Sequence, residues 1–194
     1  MTTAQHYRPN LRDIYFNLFE VLEIQKSTLG AGPFAAMDEE AAHAALEGLL
    51  DVLEASWVPA FAEGDREGAR FVGEGRVVLP ASFKKALAAY YDGGWNKRVL
   101  PEKLGGFGAP PTVRWAAFEL MSGANPSVCF YVLGNMMAKV IDRFGTPAQQ
   151  QRFVAGLTER HWGATMVLTE PGAGSDVGAG TTRARHVAGD EYQL

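Results

Sequence analysis

The chain has 194 residues, of which 47% are hydrophobic and 21% charged, a composition typical of a globular protein with a sizeable core. The formal net charge of −4 argues against nucleic acid as the main partner, because such binding needs a basic surface. No run approaches the roughly 18 apolar residues of a membrane span, and the polar stretch Met1 to Asn10 lacks the apolar core of a secretory signal.

The single cysteine, Cys129, excludes an internal disulfide framework and fits a reducing compartment. We therefore expect a cytoplasmic protein. Cys129 lies in the apolar run Val128 to Leu133, which predicts a buried, unreactive thiol.

The first predicted helix begins at Asn10 and carries apolar residues at helical spacing through Leu22. Lys26 to Pro33 is predicted to be a linker. Asp38 is expected to cap the next helix, since a short acidic side chain can accept hydrogen bonds from the first turn. The apolar stripe of that helix is Ala42, Leu46, Leu49, Leu50, Leu53 and Trp57.

The middle of the chain is predicted to alternate between loops and helices. Polar, glycine-rich Glu63 to Gly75 is expected to be a loop. Pro80 opens a helix that Gly93-Gly94 closes. Pro101 to Pro111 is irregular, and a helix follows from about Thr112 to Met121.

Two further helices are predicted before the pattern changes. Asn125-Pro126 restarts the chain into a long apolar helix that ends near Phe144. Thr146-Pro147-Ala148-Gln149 is typical of a capping box, and the helix that it begins runs to about Arg160.

After His161 the apolar residues alternate. The segment Trp162 to Leu168 is therefore predicted to be a strand, and so is Thr181 to Val187. Gly189-Asp190 marks a turn, and Glu191 begins another strand. The fold class is mainly α with the start of a β domain, which we expect to be incomplete at Leu194.

A glycine-rich loop, Thr169-Glu170-Pro171-Gly172-Ala173-Gly174-Ser175-Asp176, follows the first predicted strand. Glycine lets a ligand approach the backbone, and successive free N–H groups form an anion-binding concavity. The spacing and the strand that follows argue against a nicotinamide-binding Rossmann unit. Gly-Ala-Gly alone is also compatible with an ordinary surface loop.

The full string resembles the signature of the acyl-CoA dehydrogenases, which are FAD-dependent flavoenzymes. Two other segments resemble the same family: the loop Pro101 to Gly108 and the helix start Phe144 to Phe153. The resemblance covers about Ala42 to Leu194. The first ~35 residues resemble the N-terminal extension of a larger bacterial branch.

The resemblance implies three domains: an N-terminal helical domain, a middle β domain and a C-terminal four-helix bundle. On that basis residues 1–37 are the extension with one helix, 38–160 the N-terminal helical domain, and 161–194 the start of the β domain. The long helix around Val128 to Val140 is expected to help build the floor of the acyl pocket.

The resemblance also implies the site residues. Met166, Val167, Leu168 and Thr169 match the strand beside the isoalloxazine ring, and Thr169 would hydrogen-bond the flavin. Gly174 and Ser175 match positions near the FAD pyrophosphate, and Ser175 would also contact the acyl-CoA. A solvent-facing Thr169 and a turn hydroxyl at Ser175 are the alternatives.

The family reaction removes the α proton of an acyl-CoA thioester and passes the β hydrogen to the flavin as hydride. The family's catalytic glutamate belongs to the C-terminal bundle, so no catalytic residue is assigned here. Glu170 is expected to fix the loop instead. The resemblance further implies an electron-transferring flavoprotein as partner and a homo-oligomer for the complete protein.

No histidine pairs with Cys, Asp or Glu at a metal-ligand spacing, so no metal is expected. Arg183 and Arg185 alternate on a strand face and are expected to be solvated, with a place near a cofactor phosphate as the alternative. Two other functions remain open: a non-catalytic acyl-CoA- or flavin-binding module, and a member of this fold recruited to nucleic acid, which the acidic charge disfavours.

Overall fold

The computed structural model describes residues 6–194, apart from the side chain of Val99. It divides into two compact units, one that ends at Ala164 and one that spans Thr165–Leu194. The first unit is helical and contains the hydrophobic core. The second contains a short hairpin and irregular segments. No helix within residues 6–194 is long and apolar enough to cross a membrane.

The N-terminal region is more helical than the sequence predicted. The helix predicted at Asn10 begins as α1 (Leu11–Tyr15) and continues as a π-helix (Phe16–Val21). The predicted linker, Lys26 to Pro33, is not wholly irregular, because α2 (Ile24–Ser27) extends into it and a 3₁₀ turn (Gly32–Phe34) closes it. Buried Ile24 explains the extra helix, since it packs in the main core.

Asp38 caps α3 (Glu39–Val52), as predicted, and its Oδ1 accepts a 2.8 Å hydrogen bond from the Ala41 N–H. A π-helical turn (Leu53–Trp57) joins α3 to α4 (Val58–Glu67). Pro59 accounts for this wider turn, because it lacks the N–H that would bond the carbonyl four residues earlier. The predicted stripe is buried except for half-buried Leu50.

The loop predicted at Glu63 to Gly75 is wrong in its first part, because α4 runs through Glu67. The helix ends where Gly68 adopts φ = 67°, a conformation that glycine reaches without strain. A small antiparallel hairpin then pairs β1 (Arg70–Phe71) with β2 (Val77–Val78).

The next two helices form where the sequence predicted them, and both contribute to the core. Helix α5 (Ala81–Asp92) buries Phe83 and Tyr90, and its Ala86 carbonyl accepts a 3.1 Å hydrogen bond from the Trp57 indole. Two 3₁₀ turns (Trp95–Val99 and Glu102–Leu104) lead to α6 (Pro111–Ala124).

The long helix predicted from Pro126 to Phe144 is two helices, α7 (Pro126–Tyr131) and α8 (Gly134–Phe144). The break brings buried Asn135 within 2.8 Å of the Asn96 carbonyl oxygen, to which it donates. The sequence did not predict this break, because the apolar run that crosses it is uninterrupted. The predicted capping box of α9 (Pro147–Thr158) is confirmed, with Thr146 and Gln149 bonding each other's backbone N–H groups.

The strand predicted at Trp162 to Leu168 is wrong. These residues belong to no helix or strand, and no other segment of residues 6–194 pairs with them. A strand requires a neighbouring backbone, which alternation of side chains alone does not supply. The strand predicted at Thr181 to Val187 is confirmed only from Arg185: β3 (Arg185–Ala188) pairs with β4 (Glu191–Gln193) around a turn with Gly189 at φ = 51°.

Candidate functional site

The predicted site residues lie together in the unit Thr165–Leu194. Met166, Val167 and Leu168 are exposed, and the Val167 side chain is 93% accessible. Thr169, Gly174 and Ser175 are exposed as well. An exposed run of three apolar residues is unusual on a soluble surface and is available to a planar, largely apolar ligand.

The glycine-rich loop opens with a tight turn. The N–H of Glu170 donates to the Ala173 carbonyl (2.9 Å), and the Ala173 N–H donates to the Glu170 carbonyl (3.0 Å). Pro171 and Gly172 occupy the two central positions, for which proline and glycine are favoured. The turn buries Ala173 and directs the chain into Gly174 and Ser175.

The Glu170 carboxylate joins the start of this loop to its end. Oε1 accepts hydrogen bonds from the N–H and the hydroxyl of Thr181, and Oε2 accepts bonds from the N–H and the hydroxyl of Thr182. These donors, led by the Thr182 hydroxyl, lower the pKa of Glu170 from its usual 4.5 to about 2. The prediction that Glu170 fixes the loop agrees with these contacts.

Three successive N–H groups, those of Gly174, Ser175 and Asp176, donate to no protein acceptor within residues 6–194. Gly172 has nothing within 4 Å of the position that a Cβ would occupy, and at Gly174 the nearest atom is Thr169 Cγ2 at 3.8 Å. The backbone is therefore open to a ligand on this side. Free N–H groups beside small residues can bind the oxygens of a phosphate.

Thr181 and Thr182 were not identified as site residues from the sequence. They lie 11 and 12 residues after Glu170, and the alternating pattern assigns them to a strand. No spacing rule links a carboxylate to two threonines at that distance. Arg185, a residue considered for phosphate contact, donates instead to the Gln193 side chain at 2.5 Å.

The helical unit has a cleft of about 160 Å³. Part of its wall comes from the segment Val128 to Val140, which is expected from the sequence to help build the floor of an acyl pocket. Its wall is mostly apolar, and two cations, Arg114 and Lys139, border it. Burial, and then the charge of Arg114, lower the pKa of Lys139. The apolar and aromatic residues of the wall are Tyr90, Trp115, Ala117, Phe118, Met121, Val132, Leu133 and Met136.

Cys129 is buried, as predicted, and burial raises the pKa of its thiol, although the Ser122 hydroxyl (3.9 Å) opposes the shift. A protonated, enclosed thiol is a poor nucleophile. Within the described part of the chain, no three His, Cys, Asp or Glu side chains are grouped so as to hold a metal ion.

Comparison with known proteins gives one family. The model of the acyl-CoA dehydrogenase N-terminal domain matches residues 39–161. The chain is 42% identical to the broad-specificity linear acyl-CoA dehydrogenase FadE5 of Mycobacterium tuberculosis, in an alignment covering 97% of this chain and 31% of that protein.

Two other relatives also align with most of this chain over a small part of their own length. The chain is 34% identical to 3-methylmercaptopropionyl-CoA dehydrogenase of Ruegeria pomeroyi, over 88% of this chain and 29% of the relative. It is 33% identical to a butyryl-CoA dehydrogenase of Syntrophomonas wolfei, over 92% and 30% respectively. The chain thus spans about three tenths of the length of these curated relatives.

Proposed function

Because this chain belongs to the acyl-CoA dehydrogenase family, we propose that it forms the N-terminal part of an FAD-dependent enzyme that dehydrogenates an acyl-CoA thioester between its α and β carbons. The observation that carries the proposal is the loop after Thr169. Three adjacent free N–H groups lie in the same short segment as an exposed apolar run. An anion donor set and an apolar surface are the two features that a flavin dinucleotide needs.

Each candidate residue has a role that its position allows. Backbone groups of Met166, Val167 and Leu168 would border the isoalloxazine ring, and the Thr169 hydroxyl would hydrogen-bond it. Gly174 and Ser175 would bind the pyrophosphate through their N–H groups. The Ser175 hydroxyl would also contact the acyl-CoA.

A bound FAD would supply the acceptor for the hydride of the β carbon. The contribution of this chain is to bind and orient the reactants. Glu170 is not suited to remove the α proton, because four donors occupy its carboxylate and its pKa of about 2 makes it a weak base near neutral pH. We propose that the catalytic glutamate lies outside residues 1–194.

The relatives support the substrate class that we propose. Their names specify linear acyl-CoA, 3-methylmercaptopropionyl-CoA and butyryl-CoA, which share the thioester and differ in the acyl group. We propose an acyl-CoA substrate in fatty-acid oxidation, an electron-transferring flavoprotein as electron acceptor, and a cytoplasmic homo-oligomer. We also propose the division into an extension (1–37), a helical domain (38–160) and the start of a β domain (161–194).

The test uses the longest translation product that contains this chain. Thr169→Val keeps the side-chain shape and removes the hydroxyl, and Thr165→Val is the matched control in the same exposed segment. A lost hydrogen bond to a ligand typically costs ~1–3 kcal/mol, so flavin affinity should fall about 5- to 150-fold in the first variant only. Unchanged affinity and an unshifted flavin spectrum in Thr169→Val would contradict the assignment.

Turnover separates the enzyme from the non-catalytic module. Reduction of a dye acceptor by acyl-CoA in the flavin-loaded product supports a dehydrogenase. Tight flavin binding without turnover on any acyl-CoA supports the binding module.

A further inference from the structure

Glu170 closes the candidate loop at both of its ends. Its backbone forms the turn with Ala173, and its carboxylate binds the backbone N–H and hydroxyl groups of Thr181 and Thr182. The residue therefore acts on the loop through two separate sets of atoms.

The rest of the loop has only local bonds. Ala179 donates to the Asp176 carbonyl (3.1 Å) and Gly180 to the Val177 carbonyl (3.2 Å). Within residues 6–194, no side chain other than Glu170 is hydrogen-bonded to the backbone of residues 171–182. Without this carboxylate, the end of the loop would be free to move away from its start.

The free N–H groups of Gly174, Ser175 and Asp176 lie between the two attachment points. Binding an anion with successive N–H groups requires that they point to one place before the ligand arrives, because ordering them on binding costs affinity. An attachment at each end of a glycine-rich segment supplies that order.

We propose that Glu170 is the positioning residue of the flavin loop: its carboxylate holds Thr181 and Thr182 at the start of the loop and so preorganises the N–H groups that bind the pyrophosphate. This inference rests on the proposed function. It makes Glu170 act through the backbone of Gly174 to Asp176, with no contact of its own to the reacting atoms.

The charge of Glu170 allows the positioning role to be distinguished from a purely electrostatic effect on anion binding. Replacing a carboxylate of an anion-binding loop by a neutral amide should leave anion binding unchanged or strengthen it if only electrostatics counts. The positioning role predicts weaker binding, because the amide of a glutamine has a single acceptor oxygen and its NH₂ group faces a second set of donors. The two effects therefore predict different results.

The experiment uses the longest translation product that contains the chain. The dissociation constants of FAD and riboflavin are measured for the unmodified protein and for three variants: Glu170→Gln, Thr182→Val and Glu191→Gln. Glu191 lies exposed on β4 of the same unit, so its variant measures the loss of one charge alone. Thr182→Val removes one donor and is the milder change. Far-UV circular dichroism checks that the helical unit is intact.

We expect FAD to bind at least about tenfold more weakly to Glu170→Gln, with a smaller loss for Thr182→Val and none for Glu191→Gln. Riboflavin, which has no phosphate, should change by less than about threefold. The exchange of the Thr181 and Thr182 amides without flavin should accelerate about tenfold in Glu170→Gln.

The other outcomes separate the two proposals. Equal or tighter FAD binding by Glu170→Gln, with the unmodified protein binding normally, overturns the positioning role and leaves the proposed function standing. Equal losses of affinity for FAD and riboflavin in Glu170→Gln would mean that Glu170 has a general structural role, and they also overturn the positioning role. An unmodified protein that binds no flavin overturns both proposals.

Discussion

The indole ring of Trp162 lies against the backbone of Gly156 in α9, so closely that a Cβ at residue 156 would be 2.3 Å from ring atom Cε3. The Trp162 N–H donates to the Gly156 carbonyl at 3.0 Å. The ring of the neighbouring His161 stacks on the Tyr91 ring, with 3.8 Å between the ring centroids. The backbone of His161 has a φ of 55°. The chain that leaves α9 is thereby attached to the helical unit.

Replacing Gly156 with Ala should displace the Trp162 ring. The added methyl overlaps ring atoms, and such overpacking typically costs about 1–3 kcal/mol. We expect a lower free energy of unfolding and a red-shifted tryptophan emission. Gly163→Ala is the control, since nothing lies within 4 Å of a Cβ at Gly163. Equal stability of the two variants would contradict this packing.

The bonds of Glu170 should weaken in acid. Its pKa is lowered in the folded loop, so the carboxylate form is the one stabilised there, and the stabilisation is fully present above the ordinary pKa of 4.5. It should be lost as the pH falls from about 4.5 through about 2. Titration of the Glu170 carboxyl carbon by NMR measures this directly. Thr182→Val should raise the midpoint, because it removes the largest cause of the shift; an unchanged midpoint would contradict the contact.

The two units should differ in backbone protection. The amides of α3 should exchange slowly because that helix is capped and lies in the core, whereas residues 165–169 donate few hydrogen bonds and should exchange rapidly. Hydrogen exchange followed by mass spectrometry checks this. Equal protection of the two segments in the 194-residue chain would mean that the predicted strand finds a partner.

The 194-residue chain should also self-associate through its exposed apolar run. Val167 is 93% accessible and Met166 71%, and exposed apolar segments recruit other chains. Sedimentation of the chain should depend on concentration, and Val167→Lys should reduce that dependence without altering helix content. A concentration-independent monomer in both forms would refute the expectation.

The same chain, reconstituted with FAD, should not dehydrogenate acyl-CoA. The reason is chemical: Glu170, the carboxylate directly after Thr169, is held ionised and accepts four hydrogen bonds. Dye reduction with a range of acyl-CoA substrates measures this against a control without protein. Turnover clearly above that control would locate a catalytic base within residues 1–194.

The sequence by itself determined the features that depend on neighbours a few residues apart. Asp38 and Thr146 cap their helices through atoms three residues away, and Gly189 allows the turn between β3 and β4. The eight-residue string at Thr169, together with the loop Pro101 to Gly108 and the helix start Phe144 to Phe153, indicated the family, and the match over residues 39–161 confirmed it. These signals are local, so a single sequence contains them completely.

Only the tertiary structure decided the features that depend on distant partners. Whether Trp162 to Leu168 is a strand depends on a neighbouring backbone, and the described chain pairs none with it. The break before Gly134 places α8 in contact with Asn96 and Trp162, which lie far from it in sequence. The attachment of Glu170 to Thr181 and Thr182 needs the loop to fold back over 11 and 12 residues, a return that neither alternation nor spacing encodes.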